Sequence, residues 1–157
     1  MHFFLVFAMF LQTASSGISM TAAMPESAYN AGDRIPLTIT FRNESQHEIF
    51  ISETNGADAA DRDFELEVLN DGGQRVPYTL YGKEAHSPDP GRFRFFSFKR
   101  KRIEAGGSIQ QVIVLNKVFD LTLPGKYSVR VTRQPRNDGT APATKTISNT
   151  VIFDIDP

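Results

Sequence analysis

The run from Asp120 to Val131, Asp-Leu-Thr-Leu-Pro-Gly-Lys-Tyr-Ser-Val-Arg-Val, constrains the fold more than any other segment. Pro124 presets φ for a turn, and Gly125 permits the positive φ that other residues avoid. The chain leaves that turn alternating, with Tyr127, Val129 and Val131 on one side and Ser128, Arg130 and Thr132 on the other. A period of two after such a turn predicts a strand with one buried face.

The same alternation recurs along the chain. Ile18, Met20 and Ala22 mark a first strand, and Ile35, Leu37, Ile39 and Phe41 a second. Pro36 cannot donate to a ladder, so that strand begins at an edge or irregularly. Glu48 to Ser52, Phe64 to Val68 and Ser108 to Leu115 follow, and the last strand runs from about Thr146 to Asp156. Asn70-Asp71-Gly72-Gly73 predicts a tight hairpin whose return strand carries Val76, Tyr78 and Leu80. Pro25–Asp33, Thr54–Asp63, Gly82–Gly91 and Gln134–Ala143 read as loops, and Phe93–Phe98 as extended. No apolar period of 3.6 persists beyond the N-terminal segment, so the fold class is all-β. Strands this short and this numerous predict two packed layers, with a core of Ile35, Leu37, Ile39, Phe41, Ile49, Ile51, Phe64, Leu66, Val68, Ile113, Leu121, Tyr127, Val129, Val131, Val151 and Phe153.

Residues 2–11 form an apolar run followed by small residues, the pattern of a secretory signal peptide. Ala14 and Ser16 would sit at the −3 and −1 positions of a cut before Gly17, although the run lacks a leading Lys or Arg. Residues 1–16 are therefore expected to be a signal peptide and 17–157 a single domain, secreted or periplasmic. A domain of about 140 residues buries enough surface to fold without staples. There is no Cys, which excludes disulfides, thiolate metal sites and Cys nucleophiles. The net charge of −1 sets up no global field for nucleic acid.

Several features resemble a known group. They are Ile-Pro-Leu-Thr-Ile-Thr-Phe-Arg-Asn-Glu-Ser (35–45), Phe-Glu-Leu-Glu-Val-Leu-Asn-Asp-Gly-Gly (64–73), Glu-Ala-Gly-Gly-Ser (104–108), Phe-Asp-Leu (119–121), Leu-Pro-Gly-Lys-Tyr (123–127) and Ser-Asn-Thr-Val (148–151). Together they resemble small secreted bacterial proteins with an immunoglobulin-like sandwich, and are similar to the Bacillus-type intracellular proteinase inhibitor domain. The resemblance implies an immunoglobulin-like Greek-key β-sandwich of about 7–9 strands, with Pro124, Gly125 and Tyr127 forming a tyrosine corner. It also implies, as an alternative function, a proteinase inhibitor, although no reactive surface matches residue by residue.

Candidate chemistry is sparse. His47 and His86 remain beyond the N-terminal segment, and no nucleophile elbow accompanies them, so no enzyme and no cofactor are expected. Asp58, Asp61 and Asp63 beside Glu65 are candidate calcium ligands, but Arg62 stands among them and the EF-hand spacing is absent. Arg92, Arg94, Phe96, Phe98, Lys99, Arg100, Lys101 and Arg102, with Phe93 and Phe95, form a basic-aromatic stripe suited to a polyanion or carbohydrate. The bland alternative is an edge strand whose cations discourage pairing. Asn43-Glu44-Ser45 fits a glycosylation acceptor, but a bacterial resemblance makes the match chance and the residues a turn. The function expected is a non-catalytic exported module that binds protein or a cell-envelope polymer, with nucleic acid disfavoured.

Overall fold

The computed structural model describes residues 17–54, 60–86, 97–136 and 139–157. The expected signal segment, Asp58, Arg92, Arg94 and Phe96 lie outside the described residues. The described chain is mostly strand, as the alternation predicted. β1 (Ile18–Ala23), β3 (Pro36–Asn43) and β7 (Ser108–Val114) form one antiparallel sheet in the order β1-β3-β7. β2 (Ala28–Asn30), β10 (Val151–Asp156), β8 (Gly125–Arg133) and β5 (Glu65–Asn70) form a second, in that order, with the short β9 (Thr146–Ile147) on β8. β4 (Ile49–Thr54) and β6 (Phe98–Ile103) pair as a two-stranded ribbon.

The inward residues of both large sheets form one cluster, in which Phe41 of β3 stacks on Phe64 with centroids 5.7 Å apart. Val129 and Val131 are fully buried, so the opening strand is placed as its alternation required. Of the expected core, only Ile49 and Val151 are partly exposed, and both still pack against it. At the head of β8, Gly125 holds φ at 148°. The Tyr127 hydroxyl donates to the Leu123 carbonyl at 2.7 Å, and its ring stacks on Phe153. Burial, then the charges of Asp71 and Asp120, push that phenol above its ordinary pKa.

Pro36 begins a central strand. Its neighbour Ile35 accepts from Leu115, so alternation turns the Pro36 nitrogen towards β1, whose pairing stops at Thr38. The missing donor therefore faces no acceptor strand.

Several expectations are corrected. Pro25–Asp33 contains β2, which runs parallel to β10. The hairpin after β5 turns as expected, with Gly73 donating to Asn70, but its return strand is reduced to one bridge, Arg75 to Leu69, and Tyr78 bridges Phe119 instead. Leu80 instead opens α2 (Leu80–Ala85) and is 82% exposed. The loop expected up to Asp63 ends in one helical turn, α1 (Ala60–Asp63), and β7 stops one residue early at another, α3 (Leu115–Val118). Thr79 caps α2 by accepting from Gly82, while its hydroxyl donates to the Lys117 carbonyl at 2.6 Å. A Cβ on Gly82 would lie 2.0 Å from the Val118 carbonyl oxygen, so only glycine lets α2 approach α3 so closely. The last strand divides into β9 and β10. Between them, Asn149 accepts from the Ala22 amide and donates to its carbonyl, substituting for a strand partner at β1.

Candidate functional site

The described part of the basic stripe, Phe98 to Arg102, lies on a ribbon that continues the β3–β7 ladder. That ladder pairs Pro36 with Val114 through to Arg42 with Ser108, and pairing resumes at Ile49 with Ile103 and runs to Thr54 with Phe98. Residues 43–48 of one side lie opposite 104–107 of the other, so the ladder breaks and bends there.

Asn43 organises the break. Its fully buried amide nitrogen lies within hydrogen-bond reach of the His47, Ile103 and Glu104 carbonyls at 2.7, 3.0 and 3.1 Å. Its side-chain oxygen accepts from the Ser45 amide and hydroxyl. The main chain of Asn43 pairs with Gly106 and Gly107. An amide so engaged is not presented for glycosylation in the folded chain, which agrees with the turn reading.

The hydrogen bonds of β4 fix which way the ribbon faces. Phe50 accepts from Ala141 at 2.7 Å, Ser52 accepts from the Arg133 guanidinium, and the Thr54 amide donates to Asp63 at 3.1 Å. The main chain of Phe50, Ser52 and Thr54 thus points away from β6, and that of Ile49, Ile51 and Glu53 points towards it. On one face of the ribbon stand Ile51, Glu53, Lys99 and Lys101, and on the other Phe50, Phe98, Arg100 and Arg102.

The first face holds a buried carboxylate. Glu53, only 4% exposed, lies 3.5 Å from the Lys99 ammonium and 3.7 Å from that of Lys101. On the second face Phe98 is 57% and Phe50 38% exposed. Arg102 contacts Glu48 at 3.1 Å and Glu104 at 2.6 Å. The Arg100 guanidinium lies near Gly139. The Arg136 guanidinium stands 4.5 Å above the Phe98 ring. Of the stripe, Phe98, Lys99, Arg100, Lys101 and Arg102 are therefore brought together on one short strand.

The calcium candidates diverge to different partners. Asp63, its side chain wholly buried, accepts from the Thr54 amide and hydroxyl and from Arg136 at 2.7 Å. Asp61 accepts from the Tyr81 hydroxyl at 2.7 Å and lies 3.7 Å from Lys117, whose ammonium sits over the Tyr81 ring. Burial and then this bond to Asp61 push the Tyr81 phenol above its ordinary pKa. Among the described residues no group of three or more His, Cys, Asp or Glu side chains is placed to hold a metal ion.

His86 closes α2 and stacks on Tyr78, which stacks in turn on Phe119. Burial, with a smaller contribution from Arg62, holds its pKa below the ordinary value, and Asp61 opposes the shift. Beside His47, the Ser45 hydroxyl lies 2.7 Å from the Asn43 side-chain oxygen and 2.8 Å from the His47 carbonyl, and its one proton serves either acceptor.

The residues that sequence reasoning missed are Glu53, Arg133 and Arg136, and Asn43 was read as a turn residue without its bonds to Ile103 and Glu104. Arg133 is buried, with its guanidinium 5.3 and 5.4 Å from the Phe41 and Phe64 rings. The signal for two of them was present. Glu53 shares the parity of Ile49 and Ile51, and Arg133 that of Val129 and Val131, so both had to point inward.

No known protein family and no curated protein matches the chain. Among solved structures, it is similar to an alkylpurine DNA glycosylase of Pseudomonas fluorescens bound to DNA containing an abasic-site analogue. The TM-score is 0.43 at 11% identity, over 90% of this chain and 31% of that one. A β-glucosidase of Erythrobacter marinus gives 0.42 at 9% identity over 88% and 15%, and a Listeria innocua β-glucosidase in complex with glucose gives 0.40 at 11% over 89% and 16%. The chain thus spans less than a third of each. Likeness at this level fixes neither fold family nor activity.

Proposed function

We propose that this is an exported, non-catalytic β-sandwich of the immunoglobulin Greek-key type that binds a macromolecule through the β4–β6 ribbon. The observation that carries the reading is the ribbon's second face, where two exposed Phe rings flank Arg100 and Arg102. Exposed aromatics beside cations mark a contact surface more often than solvated charge does. The Asn43 network and the Asp63–Arg136 pair brace the ribbon at its two ends. The sandwich reading is supported by β2 running parallel to β10 and by the Tyr127 hydroxyl bonding back to Leu123. A non-catalytic role is supported by Asp61, Asp63 and Glu53 each being held by a cation.

The test is capture of the purified protein by immobilised envelope polymers and proteins. Replacing both Phe50 and Phe98 by Ser should weaken capture about tenfold or more while leaving the melting temperature close to that of the parent. Undiminished capture by that variant, or inhibition across a protease panel with no polymer bound, would replace this reading.

A further inference from the structure

We infer that the ribbon's partner is an anionic polysaccharide, and that Glu53 is a built-in competitor for its charged groups. The inference rests on the ribbon being the contact surface.

Glu53 is a carboxylate in a nearly inaccessible position, and one acid is shared between two lysines at distances beyond a good hydrogen bond. The lysines themselves stay in solvent, with Lys99 59% and Lys101 44% exposed. Lys99 and Lys101 leave one face of the strand with their Cα atoms about 7 Å apart, and both ammonium groups lean towards Glu53. An incoming polyanion can pair with both from the solvent side. In doing so it draws them from Glu53, and the desolvated carboxylate resists that exchange.

The opposite face favours a sugar polymer over a folded acidic protein. Phe50 and the exposed part of Phe98, whose other side carries Arg136, offer ring surface to the apolar faces of pyranose units, while Arg100, and Arg102 in exchange for Glu48 and Glu104, reach their acidic substituents. Phe98, Arg100 and Arg102 follow one another along β6 with Phe50 across from Arg102, an extended row that suits a linear ligand. The overall charge of −1 supplies no general attraction for a polyanion, so binding requires a local run of cations such as Lys99 to Arg102.

Heparin serves as the probe, with dextran as the uncharged control and a single-stranded oligonucleotide and an acidic protein as competitors of other classes. Wild type is expected to bind heparin and not dextran, with affinity falling as salt rises. Glu53→Gln should bind at least about threefold more tightly, and the Lys99→Gln/Lys101→Gln pair at least about tenfold more weakly. Because Glu53→Gln could fail to fold, the carboxylate carbon resonance of Glu53 is followed in the wild-type protein, where saturating heparin should shift it. Binding with neither tightening nor a shift overturns the role of Glu53 alone. A preference for the oligonucleotide or the acidic protein overturns the polysaccharide. If the Phe50/Phe98 variant holds every partner as tightly as wild type, the ribbon reading itself falls.

Discussion

At Asn43 a side-chain amide takes over the pairing that the broken ladder loses. Its buried nitrogen reaches carbonyls on both sides of the break, including Ile103, sixty residues away. Removing it takes the side-chain donor from the buried contact to Ile103 and from the part-buried His47 and Glu104 carbonyls, and an unsatisfied buried group costs about 1–3 kcal/mol. Asn43→Ala should therefore lower unfolding free energy by about 3 kcal/mol in chemical denaturation. A loss within experimental error would show that the break is held by other contacts. Tyr127 makes a simpler case, with one hydroxyl, one acceptor and a part-buried setting. Tyr127→Phe should cost about 1 kcal/mol by the same measurement, and an unchanged midpoint would argue that the bond to Leu123 contributes nothing.

His86 ties a residue to a pH range. Its folded pKa lies below the ordinary 6.5, so below that pH the unfolded chain binds the proton more readily than the folded one. Stability is fully present above about pH 6.5 and is lost as pH falls towards the folded pKa. The charged groups acting on the ring are Asp61, which favours the proton, and Arg62, which opposes it. Melting curves between pH 7.5 and 5 should fall more steeply for wild type than for His86→Phe, which keeps the stack on Tyr78. Parallel curves would remove His86 from the acid response.

Among elements, the long strands were legible because their cues are local. β3 and β8 each follow a turn and alternate for eight or nine residues, and both are where the pattern put them. The short elements were not legible, because four to six residues cannot display a helical period and three cannot display a strand's. The fit of α2 against α3 depends instead on the absence of a side chain at Gly82. Gly82→Ala forces that contact apart and should destabilise by about 1–3 kcal/mol, with faster proteolysis around α2. Wild-type stability in this variant would mean that α2 is not pressed against Val118. The ribbon shows the same limit from another side. The cations and Phe98 were readable as a stripe, but the break that aims them is set by pairing between distant segments.

Across the whole molecule, the charges are sorted more than the composition suggests. Inward-facing ions are paired: Asp63 with Arg136, Asp61 with Lys117, and Glu53 with two lysines. This is what burial demands of a charge. Exposed cations are spread over the surface, but Lys99, Arg100, Lys101 and Arg102 follow one another on β6, beyond the bend, where the Phe50 and Phe98 rings stand outside the core. The apolar cluster fixes the two sheets, and the ribbon carries the surface proposed for binding. The proposed binding thus depends on β4 and β6 being paired in register beyond Asn43. Amide hydrogen exchange resolved by residue tests this most directly. The amides of Ile51 and Lys101 are predicted to exchange many times more slowly than those of an unfolded chain, and Asn43→Ala should release both together. Rapid exchange at Ile51 and Lys101 in the intact protein would contradict the ribbon and the binding surface built on it.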